Sequence, residues 1–382
     1  MGPGLLGECG GTPNYQELNI VHQTSPTGSP CSDKLPAVEY AEEKYARHLR
    51  DKLARRIASL KLDAHSSIDG GGVHWHCLTS ITGRSSLVHC FALPQEGPEY
   101  LTSFRREGEE IATARTSSPD DTVEAIMDWL NRADLRSLHD RYQFLDRAKR
   151  ALTQIRDSIL KIAPGLENGC ELKHWGSGIY YLWFRQTTRS AVMSFYGKNE
   201  IADVVCHWDD CSLFSFPAND LLVLGTVLKR WLSDGAMPSQ IRGEFPTLSI
   251  GKLADYYERG NPIEGEFIDS WDRIREFYDN FYDQERYPTR DRVLQFVDQL
   301  RQAGYDRKFR AGQSLWTFIL SRSRRHGLRI EQPIVHFHFS PTVDEMLVTL
   351  RIATEESTFT TAIATSDQLR AALTRLSECS ID

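Results

Sequence analysis

The chain has 382 residues, of which 25% are charged and 40% hydrophobic, and its formal net charge is -7. Together with a mean hydropathy of -0.42, these values are typical of folded globular proteins and exclude a largely disordered chain. The length is greater than one small core needs and predicts two or three domains. The longest nearly uncharged run, residues 221–228, is far shorter than the roughly 20 residues that span a bilayer.

Residues 1–36 are rich in Gly, Pro, Ser and Thr, which predicts a disordered tail. This tail has no basic region followed by an apolar one, so we expect no secretory signal and a cytoplasmic location. Eight cysteines are scattered along the chain without any CxxC pair. This spacing favours reduced, structural thiols over a disulfide scaffold or a cysteine-based zinc site.

Residues 37–140 predict a first α+β module. A charged helix is expected over residues 37–62, because its apolar residues recur every three or four positions. A closing helix includes residues 122–130, and its start is predicted from Ser118 as the N-cap and Pro119 at the first helical position. Between the two helices, the predicted strands of an antiparallel meander are residues 73–79, 86–93, 100–105 and 110–115.

Residues 141–235 repeat this order and predict a second module. Its leading helix is expected over residues 144–162 and its closing helix over residues 220–232. The two closing helices end alike, with Trp129-Leu130 in the first module and Trp231-Leu232 in the second. The predicted strands between them are residues 179–185, 190–196, 201–208 and 212–216.

Residues 236–288 predict a helical insertion, and residues 289–382 a third module. The third module is expected to begin with helices over residues 291–303 and 312–326, because basic residues precede a helix-ending Gly327-Leu328. A strand over residues 315–320 is the alternative to the second of these helices. The remaining predicted elements are strands over residues 334–339, 345–352 and 358–363 and a closing helix over residues 367–376. The fold class is therefore α+β, with three repeated modules of helix, antiparallel sheet and helix, the third one strand shorter.

Three histidines of the first module form a candidate metal site. His74 and His76 alternate along one predicted strand, so their side chains share a face. A tight turn over residues 82–85 would bring His89 to the same face. Three imidazoles on one face would suit a zinc or iron ion. The alternative is that these histidines cover the partly wet face of a sheet whose other face packs on helices.

A basic segment over residues 307–329 is a candidate anion site. Residues 286–329 contain 11 basic and 3 acidic residues, a local charge of +8 (11 minus 3). Guanidinium groups bind phosphate with two parallel hydrogen bonds, so the segment predicts binding of a phosphorylated ligand or a nucleic acid. Two alternatives remain open: the basic residues stabilise a helix C-terminus, or the acidic residues 264–285 cover them. The candidate residues are Arg307, Lys308, Arg310, Arg322, Arg324, Arg325 and Arg329.

Phe267, Trp271 and Tyr278 follow one another at helical spacing in the predicted insertion. Such a stripe is typical of a core helix, and its position between modules also suggests a surface for docking a partner. Cys170 and His174 could be considered a thiol nucleophile and its base. Neighbours in sequence seldom form that pair, so we interpret them as structural.

The chain lacks the GxGxxG, GxxxxGK[ST], GxSxG and HExxH motifs, so nucleotide-binding and hydrolytic enzymes of the familiar kinds are disfavoured. The leading hypothesis is an intracellular, non-enzymatic binding protein, an adaptor or assembly subunit that meets a protein partner or another copy through exposed sheet faces and inter-module surfaces. The first alternative is recognition of phosphate or nucleic acid by the basic segment. The second is a metal-dependent enzyme that uses His74, His76 and His89.

Overall fold

The computed structural model describes residues 41–71, 74–93, 97–174, 180–195, 202–281, 289–314, 317–324, 332–362 and 366–381, and structural statements below refer to these. They form ten α-helices and three five-stranded antiparallel sheets, each a meander in which consecutive strands are neighbours. The fold class is α+β, as the sequence predicts. The predicted tail at residues 1–36 lies outside the described residues. None of the described helices is both long enough and apolar enough to cross a membrane.

The chain divides into two compact units. Among the described residues, the first unit comprises residues 41–206 and 216–235, and the second comprises residues 207–215 and 236–381. The first unit holds the first sheet and most of the second, and the second unit holds the third sheet.

The first module begins with helix α1 (Ala41–Leu60), whose residues Leu49 and Leu53 are fully buried. The closing helix α2 (Pro119–Leu130) begins as predicted, because the hydroxyl of Ser118 accepts a hydrogen bond from the backbone N–H of Asp121 at 3.1 Å. Both helices pack on the same face of the sheet. The five strands between the helices are β1 (His65–Gly71), β2 (His74–Ile81), β3 (Arg84–Leu93), β4 (Gly97–Arg106) and β5 (Glu109–Thr116).

The second module follows helix α3 (Leu135–Arg141) and begins with α4 (Arg147–Ile162). Its closing helix α5 (Leu221–Leu228) continues through a π-helical turn (Lys229–Ser233) that contains Trp231 and Leu232. The strands between these helices are β6 (Cys170–His174), β7 (Tyr180–Gln186), β8 (Arg189–Phe195), β9 (Ala202–Trp208) and β10 (Cys211–Pro217).

One arrangement of side chains recurs in these two modules and supports their relationship. Arg84 begins the third strand of the first sheet; its Nη1 donates to the carbonyl of Trp129 at 2.7 Å, and its guanidinium lies 4.2 Å from the indole centroid. Arg189 begins the third strand of the second sheet and contacts Trp231 in the same way, at 3.0 Å and 4.2 Å. The indole N–H of Trp129 also donates to the carbonyl of Ser85, and that of Trp231 to the carbonyl of Ser190; each serine directly follows the arginine of the same contact. We call each such contact an Arg–Trp clasp.

The third module is preceded by helices α6 (Pro238–Glu244), α7 (Lys252–Glu258) and α8 (Pro262–Phe281). Helix α8 belongs to the core of the third sheet, because the fully buried Trp271 packs against Phe318 and donates its indole N–H to the carbonyl of Phe309 at 2.8 Å. The remaining elements are α9 (Arg290–Gln302), β11 (Arg310–Ser314), β12 (Thr317–Ser321), β13 (Ile334–Phe339), β14 (Glu345–Ile352), β15 (Glu355–Ala362) and α10 (Asp367–Glu378).

Two predictions for the third module are wrong. The helix expected over residues 312–326 is instead the hairpin of β11 and β12, in which Arg310 pairs with Ser321 and Ser314 with Thr317. The third sheet therefore has five strands and is not one strand shorter than the others. The residues of β12 form a short apolar run that is buried on both faces, so it carries no alternation to distinguish a strand from a helix.

Candidate functional site

The outer face of the first sheet, which lies opposite α1 and α2, carries apolar side chains. The cross-strand register pairs Leu78 with Leu87 and His89 with Leu101. Intervening residues such as Cys77 and Val88 point into the core, so these side chains point away from it. Leu78 is 40% exposed and Phe91 is 36% exposed. The outer-face patch, as we call it, consists of His76, Leu78, Leu87, His89, Phe91 and Leu101.

Two of the three predicted histidines lie together in this patch. A two-residue turn joins β2 to β3, so that His76 is directly opposite His89, with ring centroids 5.6 Å apart. The carboxylate of Asp69 on β1 lies 3.9 Å from His76 Nε2. The backbone of His74 belongs to β2, but its side chain lies outside the described residues. Among the side chains that are described, no group of three potential ligands is close enough to hold a metal ion, and the zinc site remains a prediction.

On its β4–β5 side, the outer face of the first sheet is covered by the second module. Thr113 is only 4% exposed, and its backbone exchanges two hydrogen bonds with Asp146, the residue that precedes α4. Ala114 forms a β-bridge with Leu145. The residues before α4 therefore pair with the edge of β5, where the side chain of Thr113 is also buried.

A β-bulge in this region determines where the side chain of Glu110 points. Phe104 pairs with Ala112 and Arg105 with Glu110, so Ile111 is the extra residue. Strict alternation would place Glu110 on the same face as the buried Ala112. The bulge instead brings its carboxylate to the outer face, where Oε2 accepts a hydrogen bond from the hydroxyl of Ser103.

Glu110 borders a cavity of about 260 Å³ between β5 of the first module and α4, β6 and β7 of the second. His174 Nε2 lies 3.0 Å from Glu110 Oε1. That oxygen is buried and receives no hydrogen bond from the described residues, so the contact with His174 is not an aligned hydrogen bond. The imidazole stacks on the ring of Tyr180 with centroids 4.7 Å apart. The cavity is lined by Glu110, Ile111, Ala112, Lys149, Leu172, His174 and Tyr180.

A second carboxylate–imidazole pair lies beside this cavity. Asp146 is 4% exposed, and its Oδ2 is 2.9 Å from Nε2 of His139. Burial raises the pKa of Tyr180 to about 12, with smaller contributions from the charges of Asp146 and Glu110, so its phenol stays protonated at neutral pH. The site thus offers fixed charges and a neutral hydroxyl for binding.

The basic segment contacts groups of its own unit. Arg324 donates two hydrogen bonds to Oε1 of the buried Glu266 of α8, from Nη2 at 2.8 Å and from Nε at 3.0 Å. Its Nη1 lies 2.6 Å from Oδ2 of Asp209. Arg310 donates to the carbonyl of Arg324, and Arg322 to those of Lys308 and Cys379.

The exposed Arg307 lies 3.6 Å from Glu264 at the start of α8, and Lys308 lies over the ring of Tyr305. These contacts match the alternative in which acidic residues of 264–285 cover the basic segment. Arg325 and Arg329 lie outside the described residues, and anion binding remains a prediction.

The aromatic stripe is part of the core. Phe267, Trp271 and Tyr278 are 1%, 0% and 2% exposed, respectively. These side chains therefore do not form a surface on which a partner could dock, and the docking prediction for them is corrected. Their helical spacing reflects the apolar face of α8 instead.

Glu110 and Asp146 were not predicted as site residues, and His174 was considered only as a base for Cys170. Glu110 and His174 are close only because a sheet edge of one module lies beside a sheet edge of the next. No local spacing indicates such a contact. The bulge at Ile111 also reverses the face that alternation assigns to Glu110.

The chain matches no protein-family model, and neither a curated protein nor a solved structure shows significant similarity to it.

Proposed function

We propose that this chain is a non-enzymatic binding protein that takes a protein partner on the outer-face patch. The observation that carries the proposal is the chemistry of this face. A sheet face that is not covered by helices is ordinarily polar, whereas here Leu78, Leu87, Leu101 and Phe91 lie side by side on it. Burying these side chains would provide the apolar centre of an interface.

The proposed occupant is another protein that presents an apolar surface flanked by carboxylates. The patch belongs to the same sheet face as Thr113, which is buried where the residues before α4 pair with the edge of β5. His76 and His89 lie within the patch, and Arg105 lies beside it on β4. The guanidinium of Arg105 would complement an acidic side chain at the rim of the partner. As part of this proposal, we expect the protein to act in the cytoplasm.

Photo-crosslinking followed by affinity measurement tests the proposal. A photoreactive phenylalanine analogue replaces Leu78 in the native host, and the protein that it captures is purified and titrated with the wild-type chain. Leu78→Asp and Phe91→Asp should each weaken binding by about 10- to 100-fold, as expected for residues at the centre of an interface. Leu222→Asp is the matched control, because Leu222 is 67% exposed but lies on α5.

The control variant should bind with wild-type affinity, and circular dichroism should show that all three variants are folded. The same photoreactive analogue at position 222 is the crosslinking control, and the proposal is rejected if the analogue at position 78 captures no protein above the level captured from position 222. It is equally rejected if the captured protein binds Leu78→Asp as tightly as it binds wild type.

The order of the elements further supports an origin of the three modules from one ancestral unit, with helices inserted before the third. The matching Arg–Trp clasps in the first two modules support the same origin.

A further inference from the structure

We propose that the cavity bordered by Glu110, Lys149 and His174 binds a small zwitterion, a molecule that carries both an ammonium and a carboxylate group, such as an amino acid. This site is distinct from the outer-face patch, and its ligand is of a different chemical class. All of its residues belong to the first unit.

The first observation concerns the acceptor that the protein leaves unsatisfied. Glu110 Oε1 is buried and has no aligned hydrogen bond from the described residues, although His174 Nε2 lies 3.0 Å from it, while Oε2 of the same carboxylate is engaged by Ser103. Buried polar atoms in folded proteins are nearly always hydrogen-bonded, so an atom of this kind at the wall of a cavity points to a donor from a ligand. An ammonium group is the donor that a carboxylate binds most strongly.

The second observation concerns positive charge on the other walls. Lys149, on the first turn of α4, lines the cavity, and no described carboxylate forms an ion pair with it. His174 is held in place by stacking on Tyr180, which is only 7% exposed. The ammonium of Lys149 can therefore receive an anionic group without first breaking an ion pair in the protein.

The charges together select the class of ligand. A simple anion would bind at Lys149 but would also lie beside the carboxylate of Glu110. A simple cation would bind at Glu110 but would be repelled by Lys149. Only a molecule with both charges pairs with both groups. Ile111 and Leu172 provide apolar wall area for a short aliphatic portion.

The size of the cavity limits the ligand further. Its volume of about 260 Å³ is below the range of roughly 300–1,000 Å³ that is usual for drug-sized molecules. The site therefore suits a molecule the size of a free amino acid and excludes nucleotides and oligosaccharides.

Thermal shift and calorimetry with the full chain test the inference. The probes are glycine, alanine, leucine, β-alanine and γ-aminobutyrate at millimolar concentration, each compared with the amine and the carboxylic acid that lack one of its charges. At least one zwitterion should raise the Tm and bind, while its two singly charged analogues should not. Glu110→Gln and Lys149→Gln should each weaken its binding by about tenfold or more, since each loses one charge pair.

Two matched variants serve as controls. Glu109→Gln changes an exposed neighbour on the same strand, and Lys161→Gln changes an exposed lysine at the other end of α4. Both should retain wild-type affinity. The inference is overturned if no zwitterion binds the wild-type chain, or if the singly charged analogues bind equally well. It is also overturned if the Glu110 and Lys149 variants bind no more weakly than the controls. None of these results bears on the outer-face patch, whose test uses other residues and another ligand.

Discussion

Removing one Arg–Trp clasp should destabilise the first module by an amount that the contacts allow us to calculate. Arg84 Nη1 donates to the carbonyls of Trp129 and Ala133, at 2.7 and 3.0 Å, and its guanidinium covers the indole ring. Hydrogen bonds of charged groups contribute about 1.5–3 kcal/mol each, and a cation–π contact about 0.5–2 kcal/mol. Methionine keeps the apolar stem and water replaces part of the lost bonding, so Arg84→Met should cost about 2–4 kcal/mol.

Urea unfolding monitored by tryptophan fluorescence, together with calorimetry, measures this loss. The transition that includes the first module should shift down by about 5–15 °C. Arg84→Lys should recover only part of the loss, because an ammonium cannot lie flat on the ring while it reaches both carbonyls. Arg136→Met is the matched control; this arginine is exposed on α3, and its replacement should change stability by less than about 0.5 kcal/mol. If Arg84→Met unfolds at the same urea concentration as Arg136→Met, the clasp does not stabilise the module and the reasoning is refuted.

Three further predictions concern other parts of the chain. Asp146→Ala should lower stability in urea by about 2–4 kcal/mol, because it leaves the buried backbone N–H of Thr113 without its acceptor; an unchanged midpoint would contradict this. Burial is the main cause that lowers the pKa of His336 in the folded protein, and the charge of nearby Arg351 contributes. As the pH falls below about 6.5, the unfolded state therefore binds a proton at this histidine more readily than the folded state does, and the second unit should lose stability. His336→Gln should flatten this dependence when unfolding is compared at about pH 7.5 and pH 5.5. Burial raises the pKa of Cys90 to about 12, so iodoacetamide should leave it unmodified in the native protein while it labels the half-buried Cys379, as peptide mass spectrometry would show.

Helix starts were predictable where a capping residue marks them. Ser118 and Pro119 gave the first residue of α2 correctly, because the cap hydrogen bond and the fixed proline dihedral are local properties of the sequence. The strands β2 to β5 were also predicted, since each combines apolar alternation with turn residues at its ends.

The first strand of each sheet was missed for a common physical reason. The strands β1, β6 and β11 are edge strands with few apolar residues, in the sequences HSSIDGG, CELKH and RAGQS. Their backbone hydrogen bonds to a neighbouring strand hold them in place, and that pairing leaves little trace in composition.

The candidate sites likewise differ in whether local sequence predicts their contacts. The shared face of His76 and His89 follows from alternation, whereas the contact of Glu110 with His174 depends on the packing of two modules.

The extra residue at Ile111 makes the zwitterion site depend on the length of the β4–β5 hairpin as well as on its side chains. Inserting one residue between Phe104 and Arg105, opposite Ile111, would restore regular pairing and turn the carboxylate of Glu110 toward the hydrophobic interior, even though every original amino acid is retained. A lineage could therefore lose or acquire this site through one codon-sized insertion or deletion, without any amino-acid replacement.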